Sequence, residues 1–149
     1  MKTIVIGFDG SESSGRALDR AAGLAQALDA ALVVASVTVP EARMIPNPVV
    51  PAEPLLLTGP VISDDESDET GRLLEEARER LAGREVDVEV ELVPIIGSPA
   101  DALIELADER AADIIVVGTH EPGFLERLLA GSVSADVSRR AHCDVLIVH

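Results

Sequence analysis

Apolar residues recur along the chain with two different periods, and the alternation between those periods predicts the fold. Ile4-Val5-Ile6, Leu32-Val33-Val34, Ile114-Ile115-Val116-Val117 and Val145-Leu146-Ile147-Val148 are continuous apolar runs rich in β-branched residues. They are too short for helices and suit strands covered on both faces. Val86-Asp87-Val88-Glu89-Val90-Glu91-Leu92 alternates strictly instead, which places it at a sheet edge with one wet face. Four stripes of helical period separate these runs. The first is Ala17, Leu18, Ala21, Leu24, Ala25 and Leu28, behind a Ser11 cap. The second is Leu74, Ala77 and Leu81. Ala100, Leu103, Ile104 and Ala107 follow Ser98-Pro99, and Val133, Val137 and Ala141 follow Gly131-Ser132.

The order β-α-β-α-β-α-β-α-β predicts an α/β fold. Right-handed crossovers and the edge character of the third strand then favour a single doubly wound, five-stranded parallel sheet. Its strand order is 3-2-1-4-5, with helices on both faces. The whole of 1–149 reads as one domain, since domains of roughly 100–150 residues are commonest. Only the stretch from Val39 to about Glu66 stands outside the pattern. It holds Pro40, Pro46, Pro48, Pro51, Pro54 and Pro60, and it closes on the acidic run Asp64-Asp65-Glu66. Loops of this length are lids, binding segments or linkers.

Charge narrows the class of partner. Twelve Lys+Arg against 27 Asp+Glu leave a formal net charge of −15, which argues against nucleic acid and anionic membrane. Phe8 and Phe124 are the only aromatics, so no base-stacking platform is available either. No apolar run approaches the ~20 residues of a membrane span, and none near the start resembles a secretory leader. A single cysteine, Cys143, excludes an internal disulfide and a cysteine-based metal site. The expected setting is the cytoplasm, with no resident metal.

Chemistry in such a sheet gathers beyond the carboxyl ends of the strands where the strand order reverses, here between the first and fourth strands. Gly7-Phe8-Asp9-Gly10-Ser11 ends one, and Gly118-Thr119-His120-Glu121-Pro122-Gly123 ends the other. Gly131-Ser132-Val133 leads into the last helix. Glycines let backbone approach a ligand, and a helix N-terminus offers N–H groups to phosphate, so the set reads as a nucleotide or phosphate cradle. Asp9 either meets a ribose hydroxyl or only shapes the turn; His120 either donates to phosphate or is an exposed loop histidine. No nucleophile–base pair, carboxylate dyad or metal-ligand spacing accompanies them.

Asp9-Gly10-Ser11-Glu12-Ser13-Ser14 with Ala17-Leu18 resembles the opening block of the universal stress protein family. Gly97-Ser98-Pro99-Ala100 resembles its middle. Val116-Val117-Gly118-Thr119-His120, Leu128-Leu129-Ala130-Gly131-Ser132-Val133-Ser134 and Cys143-Asp144-Val145-Leu146-Ile147-Val148 resemble its closing block. The resemblance implies the 3-2-1-4-5 fold, a homodimer and, in one branch, bound ATP or AMP, with Mg²⁺ accompanying ATP. Carried over by position, Asp9, Val37 and Val117 would serve the adenine and ribose. Gly118, His120, Gly131, Ser132 and Val133 would serve the phosphates. Glu121 stands where the branch's second motif glycine belongs, a departure on the phosphate side.

The resulting expectation is a cytoplasmic stress-response regulator that binds an adenine nucleotide without catalysis, or with slow ATP hydrolysis at most. The alternative is a relative without nucleotide that acts through homodimer and other protein contacts. Val145, Leu146, Ile147 and Val148 are the expected dimer edge, being apolar and free of Lys or Pro.

Overall fold

A computed structural model describes residues 2–38, 64–94, 98–119 and 133–149. The elements follow the expected order: β1 (Lys2–Phe8), α1 (Glu12–Leu28), β2 (Ala30–Thr38), α2 (Asp64–Leu81), β3 (Val88–Pro94), α3 (Pro99–Glu109), β4 (Ile114–Gly118), α4 (Val133–Arg140) and β5 (Asp144–Val148). The sheet order is β3-β2-β1-β4-β5, with every pair parallel. The fold class is therefore the doubly wound α/β sheet read from the sequence.

Alternate strand residues point to opposite faces, and each face buries its own core. Ile4, Ile6 and Phe8 of β1, Leu32 and Val34 of β2 and Val116 of β4 pack under Ala17, Leu18, Ala21 and Ala25 of α1 and Ala77 and Leu81 of α2. Val5, Val33, Ala35, Ile115 and Val117 face the other way, under Ala100, Leu103, Ile104 and Ala107 of α3 and Val137 of α4. Because β1 lies in the middle of the sheet, both cores meet across it.

Two details differ from the sequence reading, both in α2. The acidic run Asp64-Asp65-Glu66 opens α2 instead of closing the irregular stretch, consistent with the stabilisation of negative charge at a helix N-terminus. The stripe that α2 presents to the core runs through Leu73, Ala77 and Leu81, with Leu73 in place of Leu74. Cys143 precedes β5 and is half-buried against the α3/α4 core. Burial first, and then Asp108 and Asp144, push its thiol pKa up, which keeps it protonated and a poor nucleophile at neutral pH.

The two sheet edges are unlike. At β3, Glu89 accepts two hydrogen bonds from the Arg110 guanidinium beyond α3, at 2.8 and 3.0 Å. At β5, Leu146 is one of the two large hydrophobics exposed among the described residues.

α3 is anchored by a reciprocal cap. The Ser98 Oγ accepts from the Asp101 N–H at 3.1 Å, while Asp101 Oδ2 accepts from the Ser98 N–H at 3.0 Å and from its hydroxyl at 2.7 Å. Arg140 of α4 reaches the other oxygen of the same carboxylate. The Ser98 hydroxyl, then Arg140, hold the Asp101 pKa down to about 2 from its ordinary 3.8. A depressed carboxylate pKa stabilises the fold above the unfolded value, and that contribution disappears as pH falls through the folded one. The difference in denaturation midpoint between wild type and Asp101→Asn is therefore expected to be widest above about pH 4 and to close toward pH 2. A gap that stays constant across this window would refute the linkage.

Candidate functional site

Three strand ends converge at the carboxyl side of the sheet. Phe8 pairs with Ser36, so Asp9 and Val37 follow at the ends of neighbouring strands. On the other side of β1, Ile6 pairs with Val116, and continuing that register brings Gly118 level with Phe8.

Beyond β1 the chain turns tightly into α1. The Asp9 carboxylate, which is exposed, accepts the Ser11 N–H at 2.9 Å. Gly10 holds φ at +78°, a region that side-chain-bearing residues seldom adopt. Ser11 then caps the helix by accepting the Ser14 N–H at 3.2 Å, while the Ser14 hydroxyl donates to the Ser11 carbonyl at 2.9 Å. The Ser11 and Ser13 hydroxyls stand 3.3 Å apart at the same mouth. Asp9 therefore does shape the turn, through one carboxylate oxygen. That bond holds the side chain at the rim.

At β4 the geometry gives Gly118 a packing requirement of its own. A Cβ at this position would lie 2.7 Å from the backbone carbon and oxygen of Ser13 and 3.0 Å from the Ser14 nitrogen. The glycine is needed so that β4 can pass the first turn of α1, whatever occupies the crevice. The Val117 side chain is buried in the α3/α4 core, which leaves its backbone as the part nearest the strand end. Thr119, just past the strand, still donates its N–H to the Val148 carbonyl of β5 at 2.7 Å. Val133 opens α4 and packs half-buried on the same core.

The structure thus brings Asp9, Val37, Val117 and Gly118 to one end of the sheet. His120, Glu121, Gly131 and Ser132 lie outside the described residues. Among the described residues, no group of three or more His, Cys, Asp or Glu side chains gathers as a metal site. No helix there is long and apolar enough to cross a membrane.

One contact had no counterpart in the sequence reading. Leu73 of α2 sits directly against Gly10, and a Cβ there would lie 2.5 Å from the leucine Cδ2. Its spacing of four from Ala77 was the available signal. Glu76 of the same helix approaches that point to 4.0 Å, adding a carboxylate beside Asp9.

Comparison with known proteins bears on the family and the fold. The family model described as Universal stress protein family matches residues 1–149. Universal stress protein Rv1636 of Mycobacterium tuberculosis is 43% identical over 158 residues, covering 99% of this chain and 96% of the relative. The stress response protein NhaX of Bacillus subtilis is 35% identical over 161 residues, covering 97% and 96%. Among solved structures, a universal stress protein in complex with cAMP superposes with a TM-score of 0.72 at 38% identity, covering 99% of this chain and 97% of that one. With its opening block at β1, its closing block around β4 and β5, and its fold in the same strand order, the chain belongs to the universal stress protein family.

Proposed function

We propose that this protein is a stress-response regulator that binds an adenine nucleotide in the crevice between β1 and β4 and has no dedicated catalytic apparatus. The observation that carries the reading is the turn Asp9-Gly10-Ser11, which keeps the Asp9 carboxylate at the rim where the ends of β2 and β4 flank β1. A relative of 38% identity, aligned over nearly all of both chains, was solved with cAMP. In this reading the second Asp9 carboxylate oxygen would accept a hydrogen bond from a ribose hydroxyl. Phosphate would fall toward the start of α4, where helix N–H groups favour anions.

Charge selects among the adenine nucleotides. Asp9 and Glu76 flank the loop, and Glu121 replaces the motif glycine on the phosphate side. Each extra phosphate charge is repelled by these carboxylates, so a monophosphate such as cAMP or AMP is favoured over ATP. Mass spectrometry of the purified, denatured protein is expected to release adenine nucleotide. Calorimetry is expected to rank cAMP and AMP above ATP. A protein that carries no nucleotide and gives no heat with any of the three would overturn the reading.

A homodimer through β5 is part of the same proposal. The exposed Leu146 lies on a strand whose outer edge has no partner strand among the described residues, and a two-fold antiparallel pairing of β5 with its copy would cover both. Sedimentation at micromolar concentration is expected to give a dimer that Leu146→Lys converts to monomer. A dimer indifferent to this substitution would show that another surface is used.

A further inference from the structure

We infer that Leu73 is a positioning residue for the nucleotide site, seating the Asp9-Gly10-Ser11 turn and so coupling the placement of α2 to ligand affinity. The inference rests on the nucleotide reading above and assigns part of that site's order to a helix that supplies none of its proposed contacts.

The physical argument starts at Gly10. Its positive φ and missing Cβ create a notch in the β1–α1 turn, and the Leu73 Cδ2 fills that notch. A leucine methyl on bare backbone leaves the turn little room to move toward α2. On the opposite side, the Asp9–Ser11 hydrogen bond closes the turn on itself. The Asp9 N–H also donates to the Ser14 Oγ at 3.4 Å, so polar bonds seat the turn from within and the apolar contact at Gly10 comes from α2.

α2 is itself held at its far end. Arg84, just beyond the helix, donates to Asp19 of α1 at 2.9 Å, and Arg80 reaches the same carboxylate at 3.7 Å. The Arg80 guanidinium also lies over Gly15. Seven residues of helix, roughly 10 Å, separate Leu73 from Arg80. The helix therefore acts as a strut from Asp19 to the turn. Any shift of its N-terminal half reaches Gly10 through Leu73, and by thermodynamic reciprocity a nucleotide on the turn would steady α2.

The test compares wild type, Leu73→Ala, Leu73→Met and Leu81→Ala, using cAMP as the probe. Leu81 is buried in the same helix and the same core but has no atom within 4 Å of the Gly10 Cβ position, so its truncation supplies a matched loss of packing. Leu73→Ala is expected to weaken cAMP about tenfold, within the range by which indirect contacts modulate binding. It should also speed hydrogen exchange at the Ser11 and Ser14 amides in the ligand-free protein. Leu73→Met, which conserves volume, should restore both, and Leu81→Ala should lower the melting temperature while leaving both unchanged. Wild-type affinity and exchange in Leu73→Ala would overturn the inference, as would equal weakening by Leu81→Ala. A wild type that binds no nucleotide overturns the functional reading instead, and the exchange rates then decide whether Leu73 seats the turn.

Discussion

Gly118→Ala is expected to destabilise the protein by about 1–3 kcal/mol, the usual cost of forcing atoms into a packed interior. The added methyl would lie 2.7 Å from the Ser13 backbone, which is helix main chain and cannot swing aside as a long side chain could. Either β4 or the first turn of α1 must shift, and the turn carries the Ser11 cap. Loss of nucleotide affinity should accompany the loss of stability. Gly23→Ala supplies the contrast, because this exposed glycine of the same helix has nothing within 4 Å of the new carbon. There alanine should stabilise by about 0.5–1 kcal/mol through helix propensity. Denaturant midpoints for the two variants should move in opposite directions; equal shifts would mean that the close passage of β4 over α1 is not as described.

Glu121→Gly combined with Pro122→Arg is expected to raise ATP affinity by about a hundredfold. A carboxylate roughly 5 Å from a phosphate charge repels it by about 3 kcal/mol at an effective dielectric near 20, and 1.4 kcal/mol corresponds to a factor of ten. Glycine at 121 removes that charge and restores backbone freedom. Replacing proline returns an N–H donor and adds a cation. cAMP, with a single phosphate charge, should gain much less. Calorimetry with both ligands at one salt concentration reads the ratio. Tight ATP binding by wild type, with no gain in the double variant, would show that this loop does not govern the site.

The strands were legible because their signals are local. The unbroken apolar runs of β1, β2 and β4 require cover on both faces, and the alternation of Val86 to Leu92 marks β3 as an edge. Ser11 and Ser98 announced their helices for the same reason, since a cap needs only the next three residues. The seating of α2 was not legible. Leu73 and Leu74 both lie within the width of one apolar stripe, and which of them faces the sheet is settled by contacts with Gly10 and Asp19 from distant parts of the chain. Gly118 shows the same limit at the site. A glycine ending a strand carries one sequence signal for two causes, and only the approach of the Ser13 backbone separates the packing requirement from the ligand one. Topology alone, in a parallel sheet of this order, directs attention to Asp9 and Gly118 at the strand 1/strand 4 crevice, whereas Val37 entered only through the family resemblance.

If the proposed dimer through β5 forms, the contrast between the two outer strands would limit how large an assembly this sheet can enter. Adding a second copy along β5 by a two-fold operation leaves β3 outermost at both ends of the joined sheet. There the Glu89 carboxylate and the Arg110 guanidinium already satisfy one another, and a third chain would have to desolvate that pair to align against it. In the proposed dimer, growth would thus terminate by symmetry on one side and by solvation on the other. Such a pairing would protect a chain with so apolar a fifth strand from building the open-ended ribbons that unpaired edges otherwise seed.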